Sequence, residues 1–137
     1  MLDEVVVYFD GGARGNPGPA AIGAVVLDAS SVPPTRLAAV SERIGKTTNN
    51  VAEYRALIAG LEAAAATPSR ALKVRGDSKL VIEQVAGRWK VKQDHLRPLH
   101  ARACQLLSDY EAVDLAHVRR ELNRDADALV NAALDLP

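Results

Sequence analysis

Apolar residues change their spacing along this chain, and the change divides it into elements. Val5-Val6-Val7-Tyr8-Phe9 is a continuous apolar run, the pattern of a buried strand over residues 4 to 9, and Ile22 to Leu27 forms another after a glycine- and proline-rich segment. Asp28 to Pro34 reads as a turn, followed by a third strand over residues 36 to 44. Connections this short favour an antiparallel meander. The period then lengthens: Tyr54, Leu57, Ile58, Leu61 and Ala65 recur at three and four, predicting an amphipathic helix from Asn50 to about Ala66, ended near Thr67-Pro68. Ala71 to Arg75 predicts a fourth strand. A short helix after Asp77 carries Leu80, Val81, Ile82 and Val85, and a longer one runs from about His95 to Ser108. Ala112 to Val118 predicts a fifth strand and Arg124 to Leu134 a last helix. Strands alternating with helices in the second half imply parallel pairing through right-handed crossovers, hence an α/β fold.

The 137 residues suit a single domain with a real core. With 48% apolar and 25% charged residues the balance is that of a soluble globular protein. No apolar stretch approaches a membrane span, and Asp3 and Glu4 stand where a signal peptide would be basic, so no membrane association and a cytoplasmic location are expected. One cysteine, Cys104, excludes an internal disulfide and a cysteine zinc cluster, and its apolar neighbours favour a buried packing role. A net charge of zero argues against bulk coating of nucleic acid. The distribution is less even. Arg88, Lys90 and Lys92 surround Trp89, Arg119 and Arg120 are paired, and Arg14 sits in the first glycine-rich segment, all compatible with a polyphosphate substrate.

Four acids fall at positions that tertiary structure could bring together. Asp10 closes the first strand and precedes Gly11-Gly12, and Asp77 closes the fourth. Each has a plainer reading, Asp10 in an Asp-Gly turn and Asp77 as a helix cap. Glu53, in the first turn of its helix, shares a face with Leu57, Gly60 and Ala64 and so points at the sheet; its plainer role is with the helix dipole. In the last helix, where Asn123 could act as cap, Asp127 lies on the side of Val130, Asn131 and Leu134, while Asp125 faces elsewhere, which ranks Asp127 first. If the first and fourth strands are parallel neighbours, their carboxyl ends meet where open α/β sheets place ligands. Carboxylates gathered there would repel one another unless a cation compensates, and magnesium or manganese takes oxygen ligands. Two such ions about 3.5 to 4 Å apart would suit phosphodiester hydrolysis, whereas a single structural ion or an acid-lined surface are the simpler alternatives.

At this point the chain resembles a known family. Val7-Tyr8-Phe9-Asp10-Gly11-Gly12-Ala13-Arg14-Gly15-Asn16-Pro17-Gly18-Pro19 is similar to the first signature of type I ribonuclease H, whose members cleave the RNA strand of RNA/DNA hybrids. Thr47 to Glu53 resembles the second signature, Arg75-Gly76-Asp77-Ser78 the third, and His117 to Asn123 with Ala126 to Leu129 the fourth, in family order over nearly the whole chain. The resemblance implies a five-stranded mixed sheet of order 3-2-1-4-5, the first three strands antiparallel, with helices on both faces. It implies that Asp10, Glu53, Asp77 and Asp127 hold two Mg2+ ions, or Mn2+, with substrate, and that His117 assists turnover without being a fixed ligand. Gly11, Gly12, Asn16, Asn49 and Asn50 would contact nucleotides in the minor groove and Thr48 a DNA phosphate. Arg14, Arg88, Trp89 and Lys90 complete the expected substrate contacts. The products would carry 3′-hydroxyl and 5′-phosphate ends. Only RNA displays a 2′-hydroxyl in a shallow minor groove, which short amides and backbone groups can read.

The chain also departs from the pattern of some bacterial members. Gly87 to Asp94 is short where those carry a longer tryptophan-rich basic protrusion, so Arg88, Trp89, Lys90 and Lys92 are expected to replace part of it, with Trp89 either packing on a sugar or base or buried in the core. Arginine exceeds lysine 12 to 5 and alanine is abundant, as in high-GC bacteria. The chain resembles the N-terminal ribonuclease H domain of two-domain actinobacterial proteins with a phosphatase-like second half, which implies that Pro137 is not the natural end. A monomer is expected. Rival readings are weaker: Gly45-Lys46-Thr47 lacks the P-loop glycine where Val40 stands, and the glycines at 11, 12, 15 and 18 miss the Rossmann spacing. A noncatalytic binding module of the same fold, or a related recombination nuclease, are the remaining alternatives.

Overall fold

The computed structural model describes Met1–Pro137. Strands β1 (Leu2–Ala13), β2 (Gly18–Asp28) and β3 (Thr35–Thr47) form the antiparallel meander; α1 (Asn49–Ala65) then leads to β4 (Ser69–Gly76), α2 (Lys79–Val85), a 3-10 turn at Asp94–Leu96 and α3 (Arg97–Leu107). Strand β5 (Ala112–His117), a second 3-10 turn at Arg120–Leu122 and α4 (Arg124–Leu134) complete the chain. The sheet order is β3-β2-β1-β4-β5, with β1 antiparallel to β2 and parallel to β4, as the resemblance implied.

Alternation along β1 and β2 decides which helix covers which face. Val5, Val7 and Phe9, with Ile22, Ala24 and Val26, join Tyr54, Leu57 and Leu61 of α1 and residues of α2 and α3 in the main core. On the opposite face Ala21 packs with Val130 and Ala133 of α4. Burying each such side chain stabilises by roughly 1.5–3 kcal/mol, which fixes the strand register, since a one-residue slip would turn the whole set to the wrong face.

Several elements differ in extent from the sequence expectation, and the reasons are local. The first strand does not stop at Phe9: Gly11, Gly12 and Ala13 pair with Ile22, Ala21 and Ala20, and the turn is confined to residues 14 to 17. Glycine has poor strand propensity, so this stretch reads as loop. Helix α1 begins at Asn49, capped by the Thr48 hydroxyl, which accepts from the Val51 N–H at 3.3 Å; Glu53 therefore lies beyond the first turn, and a dipole role does not account for it. Asp77 is not the cap of α2, because the Ser78 hydroxyl accepts the Val81 N–H. Asn123 stands at the N-terminus of α4 without capping it. Trp89 is 44% exposed and is not a core residue, and Cys104 is only partly buried. No helix is long and apolar enough to cross a membrane.

Candidate active site

Asp10 occupies a fork in the sheet. Its pairing with β2 continues, opposite Gly23, but the parallel pairing with β4 ends one residue earlier, at Phe9 and Gly76. The side chain thus stands at the carboxyl end of β4, beside Asp77, at the edge where parallel strands leave room for a ligand. Two glycines let the neighbouring helices sit down on this point. A Cβ on Gly11 would lie 2.3 Å from the Ala52 carbonyl, and one on Gly23 would lie 2.4 Å from the Ala126 carbonyl. The residues following those two carbonyls are Glu53 and Asp127. Backbone approach at a missing side chain is therefore what brings both helical acids to Asp10.

Carboxylate oxygens of Asp10, Glu53 and Asp77 lie within 4.8 Å of one another. Asp10 is 7% and Glu53 9% exposed. Glu53 Oε1 accepts the Gly11 N–H at 2.7 Å, which locks it across the top of β1. Asp127 borders the group and lines the same cleft, while Asp125 turns to a separate hollow near Tyr8 and Leu27. Asp127 accepts from Arg120 Nη2 at 3.3 Å and Asn131 Nδ2 at 3.5 Å. Asp10, Glu53 and Asp77 take part in no ion pair with any lysine, arginine or histidine.

The electrostatic result follows from burial without a counter-charge. Asp10 is pushed up to about 8, first by burial, then by the negative charge of Asp77 and by Asp127. Glu53 is raised as well, by burial and then by the charges of Asp10 and Asp77, with the Gly11 hydrogen bond opposing. Hard oxygen donors, converging and short of positive charge, fit a divalent cation that prefers oxygen.

Most of the other residues singled out in the sequence divide between two cavities, and Asn16, Thr48 and Arg88 line neither. Gly11, Gly12, Arg14, Asn49 and His117 line the acid cleft, of about 670 Å³, together with Arg119 and Arg120. Asn49 Oδ1 accepts the Ala13 N–H at 2.8 Å, and the Asn49 N–H donates to Asn16 Oδ1 at 3.0 Å, so both amides fasten the β1–β2 turn to the start of α1. His117 is exposed, with Nε2 3.3 Å from the Asp77 carbonyl oxygen. A second cavity of about 500 Å³ contains Asn50, Trp89 and Lys90. Lys79 lies 5.9 Å from the Trp89 ring centroid, a cation–π contact. Arg88 is not free: its Nε and Nη2 donate to both carboxylate oxygens of Glu83, at 2.7 and 2.9 Å.

Sequence reasoning missed the tie of Asn123, which is 1% exposed and whose Nδ2 donates to the Phe9 carbonyl at 2.8 Å. The contact spans 114 positions, and no local pattern announces it. The Arg120 pairing with Asp127 was hidden likewise, whereas Asn131 could have been found from its i, i+4 spacing to Asp127.

Comparison with known proteins agrees with this geometry. Residues 8–133 match a family model described as reverse transcriptase-like. A ribonuclease H from Phenylobacterium zucineum is 34% identical over 149 aligned positions, covering 98% of this chain and 92% of that protein. The chain belongs to the ribonuclease H family. Within it, the chain is 48% identical to the bifunctional protein Rv2228c of Mycobacterium tuberculosis over 96% of its own length and 36% of the relative's, so it spans about a third of that protein. The solved N-terminal RNase H domain of Rv2228c superposes with a TM-score of 0.91, covering 96% of this chain and 99% of that one. LC11-RNase H1, isolated from compost and solved in complex with an RNA/DNA hybrid, is 40% identical with a TM-score of 0.86, covering 96% of each chain.

Proposed function

We propose that the protein is an endonuclease that hydrolyses the RNA strand of RNA/DNA hybrids, dependent on Mg2+ or Mn2+ and leaving 3′-hydroxyl and 5′-phosphate ends. The observation that carries this reading is the group Asp10, Glu53 and Asp77, gathered within 4.8 Å with no protein cation to balance it. A noncatalytic binder would gain nothing from an acid cluster that repels phosphate. Asp10, Glu53, Asp77 and Asp127 would hold two ions with substrate; ions so placed supply an activated water and neutralise charge on the leaving oxygen. The protein's own part is to keep these oxygens in a fixed geometry, which the Gly11 N–H does for Glu53 and Asn131 for Asp127.

His117, exposed at the end of β5, would move a proton or help the product leave. With Asn49 Oδ1 engaged by Ala13, its Nδ2 is left to donate to a ribose 2′-hydroxyl. Gly11, Gly12, Asn16 and Asn50 would line the minor-groove side, and the Thr48 hydroxyl, already accepting from Val51, keeps its proton to donate to a DNA phosphate. Arg14, Arg88, Trp89 and Lys90 would contact the duplex without naming bases. The relatives' greater length and the bifunctional description of Rv2228c support the reading that this domain is the N-terminal part of a longer protein with a phosphatase-like second half.

Incubation with labelled RNA/DNA hybrid, duplex DNA and duplex RNA, after chelation and with Mg2+ or Mn2+ restored, tests the proposal. Cleavage confined to the hybrid's RNA strand and dependent on added metal is expected. Folded wild-type protein that leaves the hybrid intact at every metal concentration would overturn it.

A further inference from the structure

Gln84 of α2 is 4% exposed and Tyr54 of α1 is fully buried. Burying an amide is costly unless both its ends are satisfied, and leucine would otherwise suit a helix face shared with Val81, Ile82 and Val85. Here both ends are used. Gln84 Oε1 accepts from the Tyr54 hydroxyl at 2.5 Å, and Nε2 donates to the Lys90 carbonyl at 3.3 Å. Burial pushes the Tyr54 hydroxyl up, so it stays protonated and able to donate. The Gln84 main-chain carbonyl also meets His100 Nε2 at 3.0 Å, anchoring this turn of α2 to α3.

The segment held by this amide has little structure of its own. Arg88 and Trp89 both donate their N–H groups to the Glu83 carbonyl, at 3.0 and 3.1 Å, and the chain then runs irregularly to the 3-10 turn at Asp94. The Lys90 carbonyl is fastened by Gln84, and Gln84 takes its orientation from the residue next to Glu53. One polar chain thus joins the helix bearing a cluster acid to the segment bearing Trp89 and Lys90, and Gln84 and Lys90 both line the 500 Å³ cavity.

We infer that Gln84, oriented by Tyr54, is a positioning residue that fixes Trp89 and Lys90 as a wall for the nucleic-acid duplex and so sets substrate affinity. The inference rests on the proposed reading of Trp89 and Lys90 as hybrid contacts.

Trp89 is the single tryptophan, so its fluorescence reports on this wall directly. Gln84→Met keeps the volume and removes both side-chain bonds, while Tyr54→Phe removes only the donor. Each is expected to raise acrylamide quenching of Trp89 and to raise KM for a labelled RNA/DNA hybrid about fivefold, the scale of one net hydrogen bond, with kcat within about twofold. Trp89→Ala is the reference and should raise KM at least as much. An unchanged KM in folded Trp89→Ala that still cleaves the hybrid would remove Trp89 as a contact and overturn the affinity role, while leaving the proposed cleavage activity standing. If Trp89→Ala raises KM but folded Gln84→Met and Tyr54→Phe keep the parent's quenching and KM, the positioning role is overturned. It is equally overturned if both variants merely melt earlier with quenching and KM unaltered.

Discussion

Asn49 and Asn50 are adjacent, yet one lines the acid cleft and the other the cavity beside Trp89, and the two cavities solve opposite electrostatic problems. In the cleft, Asp10 and Glu53 are buried, Glu53 is held by the Gly11 N–H, and neither takes part in an ion pair. Beside Trp89 the charges are exposed and positive: Arg88 is answered by Glu83 and Lys79 by the indole face, whereas Lys90 and Lys92, which line the cavity, take part in no ion pair. A rigid site with unbalanced charge calls for a cation from outside. An exposed site with unpaired lysines offers contact area and attraction for phosphate, and little chemistry. The difference separates where bonds would be broken from where the substrate would be gripped.

The largest effect should come from relieving the imbalance itself. Asp10→Asn is expected to lower hybrid cleavage by well over a hundredfold, beyond the scale for an outer partner of a metal ligand. It should also stabilise the metal-free protein at pH 8, because a buried charge is removed. Cleavage assays and thermal melts with chelator check both, and an unstabilised, fully active variant would contradict the comparison.

Next in size is the pH dependence. The Asp10 carboxyl is raised from the ordinary range near 4 to about 8, so the metal-free folded state binds more protons than the unfolded state between those limits. Its contribution is present in full below pH 4 and is lost as pH rises through 8. Wild-type minus Asp10→Asn melting temperatures should therefore fall from pH 5 to about pH 8 and level off above it, and saturating Mg2+ should flatten the trend. A metal displacing that proton should bind about tenfold more weakly for each pH unit below 8.

Gly23→Ala tests the geometric side of the contrast. The added methyl meets the Ala126 carbonyl at 2.4 Å, against backbone that cannot swing aside, so α4 must lift and carry Asp127 with it. A loss of about 1–3 kcal/mol in stability with a fall in activity is expected from denaturant titration and kinetics. The smallest effect belongs to the other cavity. Arg88→Ala breaks an exposed ion pair and should change KM by about twofold at most, with the melting temperature little altered.

How much of this could be read from the chain depended on range. The four acids were legible because strand ends and helix faces are local patterns, and Glu53 stood out as an acid on an apolar face. The helix phase that prefers Asp127 to Asp125 was legible for the same reason. The extent of β1 was not, because Gly11 and Gly12 have poor strand propensity, and Gly11 is there to admit α1. Ser78 taking the cap in place of Asp77 was a choice between neighbours that only geometry could make. Gln84 read as one polar position in an apolar helix, and its partners Tyr54 and Lys90 lie on separate elements. Exposure of Trp89 depended on the same tertiary arrangement.

The Asn123–Phe9 hydrogen bond bears on the order in which the site is made. It joins residues 114 apart, and with it the last helix fastens to the first strand. Leaving a ribosome, this chain presents Asp10, Glu53 and Asp77 well before α4 emerges, and closing so long a loop comes late in folding. The fourth acid and the clamp that seats it arrive together. A nascent chain would thus carry three of the four acids while still lacking α4, the helix that brings the fourth.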